Sequence, residues 1–351
     1  MDFTFTEDQL LFRESVREFL VNEVTPEAVR KLWETETGRS DALWAKLAEL
    51  GLTGLTVPEE FGGLGMNELD FILLAQECGY VALPEPLVMT VMVAAPLLAR
   101  SGNEELKSYW LPKIAAGEAR VTVGLAHNLL VEDAHVADLL ILHKAGALYA
   151  VEKSEATLVY NESVDPSRKL FSVTFNETRA VLVAEGDEAQ ALVARAFNAG
   201  ALAAAAQALG LTQRMIDISV KYTTDRQQFG APIGSFQAVK HRMANVAVAL
   251  EYAKAAVARA AYALANDLST VDLNVSHAKI VACEASLIGG KNSIQVHGAM
   301  GYTWEVDLHI YMKRAWALDK CWGDPAFHKA RVADLIFADG AAIGAGNTFC
   351  S

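Results

Sequence analysis

The sequence predicts an α+β protein in which a helical N-terminal domain, residues 1–118, and a C-terminal four-helix bundle, residues 187–351, flank a small, shortened β domain, residues 119–186. Three observations predict it. Apolar residues recur at helical spacing through the first stretch; the texture then changes to short β-type runs; alanine-rich helical segments, whose small side chains let helices approach closely, fill the rest.

The N-terminus, MDFTFTEDQLLFRESVREFL, reads as the start of an acidic amphipathic helix. Thr25-Pro26-Glu27 reads as a cap followed by proline at the first helical position, and PEEFGGLG, Pro58 to Gly65, breaks the helices with a glycine-rich loop. The β runs are VTVGL, ADLLILHKAGALYAVE, ATLVYN, KLFSVTFN and RAVLVAE, with Lys144-Ala145-Gly146-Ala147 suited to a hairpin turn. Helix returns from Asp187. A later helix carries Phe236, Val239, Met243, Val246, Leu250, Ala253 and Val257 at alternating spacings of three and four, the period of a buried face.

Hydrophobic residues make up 52% and charged residues 21% of 351 positions, which allows a large core and a sizeable subunit interface. Formal net charge is −13 with no long Lys/Arg cluster, which argues against nucleic acid as a partner. The N-terminus has no charged-then-apolar leader, and PLVMTVMVAAPLLA and AGALAAAAQALGL read as too short or too interrupted to span a bilayer. Cys78, Cys283, Cys321 and Cys350 are scattered without CxxC spacing, the pattern of core thiols in a reducing cytoplasm rather than of a metal site or disulfide framework.

The loop that enters the Phe236 helix is RQQFGAPIGSFQ, and its composition suits anion binding better than plain chain reversal. Arg226 offers paired planar donors to a phosphate, Phe229 an apolar face, and Gln237 and Gln295 amide groups. In QVHGAMGY, Gly298, Ala299 and Gly301 leave backbone N–H groups unscreened by bulky side chains, so phosphate or ribose can come close. An α-β-α chain with RxxFG, FQ eleven positions on (237 minus 226), and QxHGxxGY resembles the acyl-CoA dehydrogenase family over nearly its whole length. The resemblance implies that Arg226, Phe229, Gln237, Gln295, Val296, His297, Gly298 and Ala299 hold the ADP half of an FAD bound mainly by a neighbouring subunit. It assigns His297 a packing role rather than an acid/base one.

The same resemblance exposes what is missing. The family's glutamate base stands, in many members, 27 positions after the QxHG glutamine, which here is Trp322, followed by Gly323 and Asp324. In others it stands 26 before the RxxFG arginine, which here is Gly200; beside it, Ala201 occupies the place of an arginine that contacts CoA. The flavin-ring cradle, a TEPxAGSD-like segment and a Trp-Ile-Thr-like strand, has no counterpart in GLAHNLLVEDAHVADLLILHKAG. Three readings follow. One is a non-catalytic subunit of a heteromeric acyl-CoA dehydrogenase, an α2β2 heterotetramer with a catalytic partner, acyl-CoA at the partner's site and an electron-transfer flavoprotein as acceptor. Another is a self-sufficient enzyme with Asp319 or Asp324 as displaced base; the third is a helical scaffold that lost its flavin. The heteromeric likeness implies a steroid side-chain CoA thioester, with a fatty or branched acyl-CoA left open.

Overall fold

The computed structural model describes residues 5–126, 130–341 and 344. Its helices are α1 (Glu7–Glu23), α2 (Pro26–Trp33), α3 (Asp41–Glu49), α4 (Glu68–Tyr80), α5 (Ala95–Arg100), α6 (Glu104–Ala115), α7 (Gly186–Asp225), α8 (Gln237–Ala265), α9 (Val271–His297), α10 (Leu308–Lys320) and α11 (Pro325–Ile336). A buried π-helical segment, Met89–Ala94, leads into α5. Strands β1 (Val121–Gly124), β2 (Val131–Glu132), β3 (Leu139–Lys144), β4 (Ala147–Glu152), β5 (Ala156–Asn161), β6 (Leu170–Phe175) and β7 (Val181–Glu185) occupy the middle, and β8 (Gln227–Gln228) pairs with β9 (Ala231–Pro232) in a hairpin after α7. The chain is α+β, as its sequence predicts.

Local signals explain the boundaries. Thr6 and Gln9 cap α1 reciprocally, the Thr6 hydroxyl accepting from the Gln9 amide at 3.2 Å and the Gln9 side chain from the Thr6 amide at 2.9 Å. Pro26 opens α2, and the PEEFGGLG stretch forms a 3-10 turn over Glu59–Phe61 followed by Gly62 at φ +82°. Lys144 and Ala147 are paired across the β3–β4 turn, where Ala145 and Gly146 have φ of +51° and +83°, the two left-handed residues of a type I′ turn.

By contacts the chain forms two compact units, one of Met1–Pro26, Ile72–Leu83 and Ala204–Ser351, the other of Glu27–Phe71 and Pro84–Ala203. The second unit holds a four-stranded sheet in the order β1-β3-β4-β7, with β1 parallel to β3, and a three-stranded antiparallel sheet in the order β2-β6-β5. Val131, Ala134, Leu140, Leu142, Val151 and Phe171 share one core there. Thr90 of the π-helical segment ties it to β1, its hydroxyl donating to the Val121 carbonyl at 3.0 Å and accepting from the Val121 amide at 3.2 Å.

In the first unit, α8 and α9 run along each other, α9 also packs against α10 and α11, and Ile216 of α7 joins the core of Met243, Val246 and Val296. The buried face predicted for α8 holds at Met243, Val246, Leu250, Ala253 and Val257, Val239 is half-buried, and Phe236 lies outside it. Phe236 is the residue before the helix and is 41% exposed, because the turn ends there in extended backbone. Helices α4 and α7 cross at glycines: a Cβ at Gly79 would lie 2.1 Å from the Gln207 carbonyl oxygen, and one at Gly210 1.9 Å from that of Gln76.

One expectation needs correction. The alanine-rich stretch is not interrupted: α7 is a continuous 40-residue helix, long and apolar enough to cross a membrane by length and composition. Its most apolar window is 83% buried within the fold, so the hydropathy belongs to a core helix. Cys78, Cys283 and Cys321 are buried thiols; Cys350 lies outside the described residues.

Candidate functional site

The last turns of α7 organise the site. The Arg226 amide donates to the Tyr222 carbonyl at 2.9 Å as the helix ends, and the β8–β9 hairpin follows at once, with the Ile233 amide donating to the Arg226 carbonyl at 2.9 Å. At the hairpin tip Phe229 and Gly230 have φ of +54° and +77°. Gly230 suits that region; a bulky aromatic does not, and an L-residue there is strained by ~1–2 kcal/mol. The Phe229 ring is nevertheless 92% exposed, its one ring contact among the described residues being edge-on with Phe236 at 6.3 Å between centroids. Gln237 then opens α8, exposed, on a helix whose first turn has no side-chain cap.

The second segment is the end of α9. Gly298, at φ +60° and ψ −136°, terminates the helix in a conformation open to glycine alone, and a Cβ there would meet open space; backbone shape, not crowding, requires the glycine. Gln295, Gly298 and Ala299 are exposed. Val296 differs from them: its side chain is in the core with Met243 and Val246, leaving only its backbone for a ligand. His297 is 3% exposed, and its Nδ1 lies 2.8 Å from the Ser293 carbonyl. A carbonyl only accepts, so Nδ1 carries the proton; burial holds the imidazole pKa below its ordinary value, and the neutral ring leaves Nε2 as an acceptor. That buried Nε2 has no hydrogen-bond partner among the described residues.

Tyr222 joins the segments. Its ring stacks on His297 at 4.3 Å, and its hydroxyl donates to the His297 carbonyl at 3.4 Å. Arg214, Lys221, Tyr222, Arg226 and His297 line one groove of about 610 Å³. Of the predicted residues the structure thus brings Arg226 and His297 into a shared groove. Sequence reasoning missed Tyr222 and Lys221, although Tyr222 is one helical turn before Arg226 (226 minus 222) and so falls beneath it on the same face.

Models of the acyl-CoA dehydrogenase N-terminal domain and C-terminal domain match residues 6–118 and 190–335. The acyl-CoA dehydrogenase IpdE2 of Mycobacterium tuberculosis is 32% identical over 310 residues, 88% of this chain and 91% of that protein. The chain belongs to the acyl-CoA dehydrogenase family. Among solved structures, a variant of the Tcur3481–Tcur3483 steroid ACAD superposes with a TM-score of 0.86 at 23% identity, over 96% of this chain and 99% of that one. The ChsE4–ChsE5 complex from Mycobacterium tuberculosis gives 0.85 at 24% identity, over 96% and 100%. Both likenesses describe the acyl-CoA dehydrogenase fold.

Acyl-CoA dehydrogenases are FAD-dependent flavoproteins. The residues at the end of α7 fit the nucleotide end of that cofactor: an exposed guanidinium, an apolar ring held out in a strained turn, and a buried acceptor with no partner in the same groove. The ring cradle is another matter, since its motifs are absent from the sequence and His127, Asn128 and Leu129 of the compared span lie outside the described residues.

At the positions counted from the two sequence motifs stand Gly200 and Trp322, neither of which carries a titratable side chain. Gly200 and Ala201 are buried within α7. Trp322 is 6% exposed at φ +53°, and its carbonyl accepts from Nε2 of the fully buried His328 at 2.8 Å. Lys279, also buried, donates to the carbonyls of Leu318, Asp319 and Gly323 at 2.8, 3.3 and 3.4 Å and closes the same turn. Asp324 caps α11, accepting from the Phe327 amide at 2.8 Å, and that bond holds its carboxyl below the ordinary range. A displaced base needs the opposite shift. Asp319 is buried, with one carboxylate oxygen 2.9 Å from the Lys320 ammonium.

Proposed function

We propose that this chain is the non-catalytic subunit of a heteromeric, FAD-dependent acyl-CoA dehydrogenase and supplies Arg226, Phe229, Gln237, Gln295 and the Gly298–Ala299 backbone to a flavin held mainly by a catalytic partner. The observation that carries the reading is Phe229. An aromatic ring in a left-handed turn, 92% in water, gains little within its own fold beyond an edge contact with Phe236. It acquires a purpose only when a second surface covers it.

Other features agree. Neither Gln237 nor Gln295 has a side-chain partner among the described residues. On α8 the outward face is apolar at Val248 and Tyr252, 56% and 79% exposed, and Tyr302 and Trp304 beyond α9 are 82% and 65% exposed. Such a spread of uncovered apolar groups fits an interface in an assembly, here an α2β2 heterotetramer. The chain resembles proteins whose names record two different chains, ChsE4 with ChsE5 and Tcur3481 with Tcur3483. A steroid-derived CoA thioester is accordingly the proposed substrate class, turned over in the cytoplasm with an electron-transfer flavoprotein as acceptor.

When bound, FAD supplies the hydride-accepting ring of the α,β-dehydrogenation. This chain's part is positional. Arg226 neutralises phosphate charge, Phe229 shields an apolar face from water, and the rigid end of α9 presents backbone N–H groups. Proton abstraction falls to the partner, because Trp322 and Gly200 have no basic group and Asp324 is a helix cap.

The test is flavin stoichiometry. Purified alone, the chain is expected to retain little FAD; co-expressed with a homologue that carries a glutamate base, it is expected to yield a yellow, active complex. A chain that is yellow and turns over acyl-CoA by itself would refute the reading. An Arg226→Ala complex with full flavin occupancy would instead favour a scaffold.

A further inference from the structure

Two cations in the groove beside α7 have no side-chain partner among the described residues. Arg214 is occupied, donating to the hydroxyls of Tyr311 and Tyr80 at 3.2 and 3.4 Å. Asp217 is occupied too, accepting from Tyr80 and Gln213 at 2.9 and 2.8 Å. Lys221 and Arg226 are exposed, line the same groove, and have no side-chain partner among the described residues. Asp225 is one turn from Lys221 and also lines the groove, yet the two are not paired. Two unpaired cations lining one groove can share an anion, which both would attract. The third free group is the buried Nε2 of His297, an acceptor that needs a hydroxyl or amine donor.

We propose that Lys221 is a second cation for the cofactor's diphosphate, beside Arg226, with His297 Nε2 accepting from a hydroxyl of the adjoining sugar. This rests on the flavin reading above and extends it to Lys221, which that reading does not use, and to a hydrogen-bonding rather than a packing role for His297. An anion flanked by a sugar hydroxyl is the chemistry of a nucleoside diphosphate, a group carried by both FAD and CoA; the groove adjoins the Arg226 hairpin, so FAD is the source assigned here.

The test uses the tagged chain isolated from its source cells with the subunit that accompanies it. FAD is stripped and titrated back at several NaCl concentrations for wild type, Lys221→Ala, Lys221→Arg and Arg226→Ala, and CoA binding is measured in parallel. Lys221→Ala is expected to weaken FAD about tenfold, as for loss of one charged hydrogen bond, with a shallower salt dependence. Lys221→Arg should stay within about twofold of wild type; CoA affinity and melting temperature should not change. If Arg226→Ala weakens FAD and Lys221→Ala does not, the role of Lys221 is overturned and the flavin reading stands. If neither variant weakens FAD, the flavin reading itself falls. Weakened CoA with unchanged FAD would assign the groove to CoA and overturn the proposal.

Discussion

Replacing Phe229 with Asn should stabilise the isolated chain and weaken the assembled enzyme, two effects of opposite sign from one substitution. The turn places Phe229 and Gly230 at φ +54° and +77°, the type I′ geometry that prefers Asn-Gly. Asn tolerates the left-handed region, so about 1 kcal/mol of strain is relieved. Little is lost within the chain, because the ring is 92% exposed and its edge contact with Phe236 is worth at most ~0.5 kcal/mol. For 351 residues, with an unfolding entropy of about 2 cal/mol/K per residue, the net gain raises the melting temperature by roughly 1 °C. In the complex, a buried Phe contributes about 1.5–3 kcal/mol, so FAD or partner affinity should fall roughly 10- to 150-fold. Calorimetry of the isolated chain and FAD titration of the complex read the two effects separately. A variant that melts lower and binds unchanged would show that the ring serves its own fold, and the interface argument would fail.

Gly210→Ala should destabilise by about 2 kcal/mol or more, measured by denaturant midpoint, because its Cβ would lie 1.9 Å from a backbone oxygen of α4 and the helices would have to separate. Tyr222→Phe should keep FAD affinity within about threefold, since only a 3.4 Å hydrogen bond is lost, whereas Tyr222→Ala removes the stack on His297 and should cost tenfold or so; equal effects would refute the stacking role. Asp324→Asn should leave turnover of the complex intact and Asp324→Ala lower stability by ~1 kcal/mol, as for a helix cap; lost turnover in both would restore Asp324 as a base. Burial pushes the Glu85 carboxyl up to about 7, only partly offset by the Ser40 amide, Arg39 and Arg120, with Asp133 adding to the rise. The folded chain therefore holds a proton that the unfolded chain has lost above its ordinary value of 4.5, so this group's contribution falls as pH rises from about 4.5 to 7 and is flat above. His328, held neutral at about 4 by burial, acts in the opposite direction between about 4 and 6.5, so the readout is the difference between wild type and Glu85→Gln, which should shift by on the order of 3 kcal/mol across the window.

Periodicity made the fold legible because it reports local burial. The α8 stripe from Met243 to Val257 and the hairpin at Ala145-Gly146 each satisfy a rule confined to a few neighbouring residues. The two-residue strand β2 carries too few side chains to show a period, and the buried π-helical Met89–Ala94 reads like any apolar helix. The role of Gly210 within α7 was also not legible, since it depends on the close approach of α4. In the site, Arg226 and Gly298 stood out through motif spacing. Tyr222 and Lys221 did not, because their meaning depends on the end of α9 folding back against the end of α7, a contact between residues 75 positions apart.

On the heteromeric proposal, the division of the site follows from what each half requires of its own chain. On the proposed reading, holding a flavin ring needs shaped strands and a base poised over substrate, whereas the counted base position holds a buried tryptophan whose carbonyl accepts from His328 while Lys279 donates to the neighbouring Gly323 carbonyl. Those contacts stabilise the bundle, so restoring a carboxylate would unpack a core and leave a buried charge uncompensated. Presenting a nucleotide clamp needs only a hairpin, a helix end and free cations on the surface. These are of little use to the isolated chain: Phe229 is strained, Lys221 and Arg226 are unpaired among the described residues, and the His297 acceptor is unsatisfied. A chain under selection for its own stability alone would readily lose each of them. Their joint presence, together with a buried tryptophan at the counted base position, supports the proposal of a subunit whose surface completes a site carried by another chain.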